Sequence, residues 1–259
     1  MFYNNMVTPA IPERVFTLCK IIGKKPISST ELKEKMEPSF LHNNTTYYSD
    51  YKNAAEELQL ISISDNMISL AVEPSVIKSI ESMRNYINGK LELFKDGQFY
   101  KVTSAYFSME NKVLGLEQNV AEMAPLISEK IGATVDPMQM RAWRFWVSFL
   151  GFGYLQNMFF IPNASVFLKD LINIAGFERK KVYSFGKFIE RLRPYCNIVI
   201  NTNPSNRKLN FGVSNGLRVL HDAGYIKLEH IMDQEDIWSL YPMNVNTFNS
   251  TITNITIIK

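Results

Sequence analysis

The residues VLHDAGYI (219–226) end a helix and open a strand with almost no loop between them. Leu217 and Leu220, with Val219 beside them, recur at helical spacing, and Ala223-Gly224 ends the run. An alternating stretch starts at Tyr225-Ile226 and is expected to turn at Asp233-Gln234-Glu235, returning through Ile237-Trp238-Ser239-Leu240 as a β-hairpin. Residues AAEELQLI (54–61) align beneath the first phrase without a gap, and LISIS, a turn at Asp65-Asn66 and MISLAVE follow as another hairpin. A chain that makes this junction twice has to seat a helix against a small sheet twice.

The elements upstream of each junction repeat as well. PERVFTLCKII (12–22) puts Val15, Leu18, Cys19 and Ile22 on one helical face, and Gly23 stops it. Ser28 and Glu31 have capping-box spacing at the head of a second helix that Pro38 closes. A third is expected from about Thr45 to Leu58, after the cap candidates Asn43 and Asn44. In the C-terminal third, Asn163 heads a helix over 164–175 ended by Gly176. Ser184 heads FGKFIERLR, whose apolar stripe is Phe185, Phe188, Ile189 and Leu192, and a third helix runs from about Val213 to Asp222.

Three short helices followed by a two-stranded wing resemble the winged helix-turn-helix superfamily, and Leu220–Leu228 (LxxAGYIxL) resembles the end of its third helix. The resemblance covers roughly residues 10–73 and 163–242. It implies a mainly α fold with small β-hairpins: tandem winged-helix modules at 1–74 and 163–242 that superpose, flanking a helical middle domain at 75–162. A tail, 243–259, follows and is either a strand at a sheet edge or disordered. Within the middle, Phe99, Val102, Tyr106 and Met109 favour a helix, residues 111–131 read as helix broken near Pro125, and Asp136-Pro137 is a strong helix start.

No charged residue occurs from Phe145 to Leu168, a run long enough to span a bilayer. Gln156, Asn157, Pro162 and Asn163, with Gly151 and Gly153, favour instead a buried helix, a loop and a second helix start, and hence no membrane partner. Trp143, Trp146, Phe149 and Leu150 share a helical face and read as core, with Arg141 and Arg144 as a solvated edge. The N-terminus, MFYNNMVTPAIPER, has no basic region followed by an apolar one, so no signal peptide is expected. Cys19 and Cys196 show no CxxC spacing and read as buried free thiols of a cytoplasmic protein. His42, His221 and His230 form no metal-ligand pattern, and no phosphate-binding glycine loop or GxSxG is present. A non-enzymatic protein without cofactor or metal is expected.

Net charge is only +3, but it is unevenly spread. Residues 1–74 carry seven Lys/Arg against nine Asp/Glu, whereas residues 178–218 carry nine against two. In the superfamily the second helix touches the DNA backbone and the third enters the major groove. Lys187 and Arg191 lie opposite the apolar stripe of the second helix, Arg207 and Lys208 lie on the connection, and Ser214, Asn215 and Arg218 face away from Val213, Leu217 and Leu220. Lysines anchor phosphates, while Arg and Asn read bases. The expectation is double-stranded DNA on the C-terminal module, with the neutral N-terminal module docking a protein partner or a homodimer. An alternative is a winged-helix accessory subunit of an SMC-type complex that clasps its kleisin, or of a phage-defence or DNA-modification system, whose role is protein–protein assembly.

Overall fold

A computed structural model of the chain describes residues 2–3, 5–41, 46–115, 119–200, 207–243 and 250–259. The first unit opens with α1 (Pro12–Ile22), which buries Val15, Leu18, Cys19 and Ile22 as the spacing requires. β1 (Ile27–Ser28) leads into α2 (Ser29–Met36), capped by the Ser28 hydroxyl on Glu31 N. Asn43 and Asn44 lie outside the described residues. The third helix, α3 (Tyr48–Glu57), starts later than expected and buries Tyr48, Tyr51, Ala54 and Ala55. A carboxylate serves its N-terminus: Glu37 accepts from Thr46 Oγ1, Tyr47 N and Tyr51 Oη. β2 (Ile61–Ser64) and β3 (Met67–Leu70) form the expected hairpin, with Asp65 and Asn66 both left-handed in its turn. β1 pairs with β3, so the sheet order is β1–β3–β2.

α4 (Ile80–Asn88) carries the chain onward to α5 (Gln98–Phe107), α6 (Ala124–Ile131) and α7 (Pro137–Phe149). Asp136 and Gln139 close a full capping box on α7. The uncharged run is not helix, loop and helix. Its centre is an antiparallel hairpin of β4 (Gly153–Gln156) and β5 (Phe159–Pro162), so the middle of the chain is not wholly helical. Among the described residues no helix is long and apolar enough to cross a membrane. The last unit contains α8 (Ser165–Ile174), β6 (Val182–Ser184), α9 (Phe185–Cys196), α10 (Phe211–Asp222), β7 (Ile226–Glu229), β8 (Trp238–Ser239), β9 (Thr251–Ile252) and β10 (Asn254–Ile257).

The hairpin expected from Tyr225 to Leu240 does not form. β7 pairs with β10, which lies between β6 and β7, while β8 pairs with β9. The tail is therefore a central strand. Ile255 and Ile257 are fully buried there, whereas Ile237 on the expected return strand is 42% exposed. Trp238 turns its ring to Phe185, with centroids 5.6 Å apart, instead of facing β7. Burial of the two isoleucines outweighs the nearer pairing.

Three helix-to-strand junctions share one hydrogen-bond pattern. After α3, Leu58 N bonds Ala54 O, Gln59 N bonds Glu56 O and Leu60 N bonds Ala55 O. After α7 the same bonds run Leu150 to Trp146, Gly151 to Ser148 and Phe152 to Val147; after α10, Ala223 to Val219, Gly224 to His221 and Tyr225 to Leu220. The left-handed residue is Gln59, Gly151 or Gly224, and the strand begins two residues on. A second signature agrees. Ser29 N, Val120 N and Phe185 N each donate to the carbonyl just before the last strand of their sheet: Asn66, Met158 and Thr253. Each of those donors follows a capping side chain, Ser28, Asn119 or Ser184. The middle thus carries a third copy of the pattern seen at the two ends.

One apolar cluster runs from Phe2 to Ile257. Trp143 and Trp146 are fully buried in it. Trp143 Nε1 donates to Thr103 Oγ1 at 2.9 Å and Trp146 Nε1 to Ala10 O, so both indoles are anchored in the core. Between α4 and α8 sits a buried carboxylate. Asp170 takes Arg84 Nε at 2.7 Å and Nη2 at 3.2 Å, and Asn88 Nδ2 at 2.9 Å. Asn85, with its amide nitrogen turned to the carboxylate, donates at 2.8 Å and 3.2 Å. Asn88 also donates to Leu150 O, tying in the end of α7.

Arg84→Met should lower unfolding free energy in urea by about 3–5 kcal/mol, because it strands a buried charge; adding Asp170→Leu should recover part of the loss. Trp146→Asp should abolish cooperative thermal unfolding, since no partner for the charge exists in that cage. The donors around Glu37 work against its partial burial and hold its pKa below the ordinary 4.5. Its contribution is then complete above pH 4.5 and lost as pH falls through the folded value. The stability gap between wild type and Glu37→Gln, followed by urea titration, should close over that fall.

Candidate nucleic-acid interface

The structure separates the seven expected contact residues. Ser214 and Arg218 are 0% and 4% exposed, not solvent-facing. Ser214 Oγ accepts from Tyr241 N at 2.8 Å, because the connection from β7 to β10 folds over this side of α10. Asn215 Nδ2 donates to Pro162 O at 3.3 Å. Arg218 Nε and Nη1 have no hydrogen-bond partner, and burial pulls the guanidinium pKa down against the field of Asp222. The other flank of α10 is docked too: a Cβ on Gly212 would stand 2.4 Å from the Phe107 ring. Phe211 N donates to Glu110 Oε2 at 2.6 Å. No face of α10 carrying Ser214 and Arg218 can enter a groove.

The four remaining cations stay near the surface around α9. Lys187 and Arg191 are exposed and one turn apart. Arg191 is nevertheless engaged: Nε bonds Ala175 O at 2.9 Å, Nη2 bonds Gly176 O at 2.8 Å, and the guanidinium lies 4.7 Å from the Phe177 ring centre. It caps the C-terminus of α8. Arg207 reaches Glu235 O at 2.7 Å and Asp236 Oδ1 at 3.5 Å. Asp236 also accepts from Gly186 N, which brings Arg207 to the first turn of α9 beside Lys187. Lys208 forms a backbone β-bridge with Ser239 and lines a cleft against α5.

Aligning the three junctions shows where equivalent faces lie. Ser49, Asn53 and Glu56 of α3 correspond to Arg141, Phe145 and Ser148 of α7, and to Ser214, Arg218 and His221 of α10. The α3 face is exposed, but Lys52 is offset by Asp50 and Glu56. The α10 face is closed. α7 contains no acidic residue, and Arg141 is exposed on it. Arg144 is half-buried, its guanidinium 4.8 Å from the Phe145 ring centre and Nη1 2.9 Å from Met158 Sδ. Among the described residues neither arginine has an ion pair, and Arg144 Nε has no hydrogen-bond partner. Tyr154, Gln156 and Asn157 of the adjoining hairpin are exposed. Arg141, read from sequence as an edge, lies where α3 has Ser49 and α10 has Ser214, and Arg144 lies where they have Lys52 and the buried Leu217. The signal was present: WVSFLGFG (146–153) aligns without a gap to the other two phrases.

Among the described residues no three His, Cys, Asp or Glu side chains converge as metal ligands. His221 Nδ1 accepts from Leu228 N, and His42 lies outside the described residues. Cys19 and Cys196 are free and buried, and burial pushes the Cys19 thiol up to about 12 and raises Cys196 as well. Thiols so protonated are poor nucleophiles. No protein-family model, curated protein or solved structure matches the chain.

Proposed function

We propose that the chain is a non-enzymatic, duplex-DNA-binding protein made of winged-helix units, with α7 as the helix presented to DNA and β4–β5 as its wing. The observation that carries this reading is that Arg141 and Arg144, on an acid-free helix beside an exposed hairpin, have no ion pair among the described residues. Guanidinium groups whose acceptors among the described residues are the thioether sulfurs of Met138 and Met158 suit phosphate and guanine oxygens. Lys187, Arg191, Arg207 and Lys208 then contribute at most backbone contacts, since α10 beside them is closed.

A second reading, a winged-helix accessory subunit whose role is protein assembly, is favoured by the N-terminal unit. Its α3 carries no net positive charge, and Phe40 and Leu41 stand 82% and 71% exposed at its surface. Exposed apolar side chains of that size suit a protein partner.

Fluorescence anisotropy with a random duplex at about 50 mM salt separates the two. Binding should weaken steeply with salt, and Arg141→Glu with Arg144→Gln should reduce affinity more than the Lys187→Glu/Lys208→Glu pair. The salt slope should fall by about 0.9 for each phosphate contact removed. Absence of wild-type binding would leave the assembly reading.

A further inference from the structure

Away from α7, three adjoining clefts run along the outer edge of α5. The first, about 410 Å³, lies between Lys95, Lys101 and Lys130. It shares Ser104 and Ser108 with a cleft of about 250 Å³ that reaches Lys208 and Asn210. Ser108 also borders a third, about 790 Å³, lined by Lys112, Lys130 and Tyr241. They meet at Ser108 and form one trough, with α5 as floor, α6 as one wall and residues 208–210 before α10 as the other.

The charge in it is only partly compensated. Lys95, Lys101, Lys112, Lys130 and Lys208 are all exposed, and among the described residues none of them has a salt bridge, unlike Lys35, Lys181 and Lys227. Two acids share the trough, Glu110 and Glu129. Glu110 accepts from Phe211 N and burial raises its pKa; five lysines stand against these two acids. Positive charge lining a concavity focuses its field and gathers a counter-anion.

We infer that this trough binds the sugar–phosphate backbone of a single nucleic-acid strand, independently of the duplex surface proposed for α7. Size favours a strand, because clefts of a few hundred Å³ take groups as large as a small molecule, and a duplex cannot be lowered into them. Lining favours a nucleic acid over an acidic peptide. Half-buried Tyr241, its ring 5.5 Å from Phe211, lies among the lysines of the third cleft, as in surfaces where bases stack between phosphate contacts.

The test uses a dye-labelled oligo(dT) of about 20 nucleotides, with the random duplex and poly-glutamate alongside. Wild type should bind oligo(dT) at about 50 mM salt, and Lys101→Glu/Lys130→Glu/Lys208→Glu should weaken it at least about tenfold. The salt slope should drop by about 2, from about 0.7 per lost phosphate contact. The milder Lys→Ala triple variant should move the same way with an unchanged Tm. Arg141→Glu should leave oligo(dT) binding intact, whereas loss of duplex binding alone bears only on α7. Wild-type affinity in the triple variant, or no oligo(dT) binding by wild type, overturns the inference. So does poly-glutamate binding as tightly as oligo(dT) with the same lysine dependence, which makes the trough an acidic-peptide surface.

Discussion

Everything in this chain hangs on getting out of a helix and into a strand within two residues. The helix leaves its last carbonyls without partners, and the returning backbone supplies the donors only if one residue turns left-handed. Gly151 and Gly224 do this without a Cβ, and at Gly151 none fits, since a Cβ would lie 2.7 Å from Phe167 N. Gln59 adopts the same conformation as a non-glycine residue, at a cost of about 1 kcal/mol. Because the junction satisfies its own hydrogen bonds, it can be reused wherever an apolar helix face meets a short sheet. The three copies differ in what covers the third helix, not in how that helix ends.

That difference is set by side chains between units. Gly212 and Gly216 let α10 approach Phe107 and the start of α8 more closely than any other residue would, and the excursion after β7 closes its remaining side. Among the described residues the two buried charged side chains then contrast sharply. Asp170 is surrounded by donors from α4 and fastens α4 to α8, whereas Arg218 has two nitrogens without partners. The first stabilises an arrangement of helices. The second is a cost that the packing of α10 around it has to outweigh.

Local chemistry was legible in the residues. The stripes of α1 and α9, the caps at Ser28, Asp136 and Ser184, and the Asp65-Asn66 turn all follow from spacing. Pairing across long separations was not. Nothing in NITI says whether it sits at an edge or between two strands, because both faces of β10 are buried and alternation carries no information there. The third copy was hidden for a related reason: the apolar run through Phe160 hides the change from helical to strand period. Periodicity also placed Ser214 and Arg218 correctly off the apolar stripe, yet what lies over that side is decided by the β7–β10 excursion. Arg141 and Arg144 were visible as residues, but the role proposed for them depends on recognising the hairpin beside them.

The position of β10 also imposes an order of events. In the first and middle units each hairpin closes between neighbours in sequence, a matter of microseconds for such elements. In the last unit β6 and β7 have no partner in each other; both wait for a strand that arrives after a long excursion, and loop closure of that kind slows assembly. Until β10 inserts, two strand edges and the apolar faces of Tyr183 and Leu228 stand open. The C-terminal unit is therefore the last to become native and the one most exposed to mispairing with another chain while it waits.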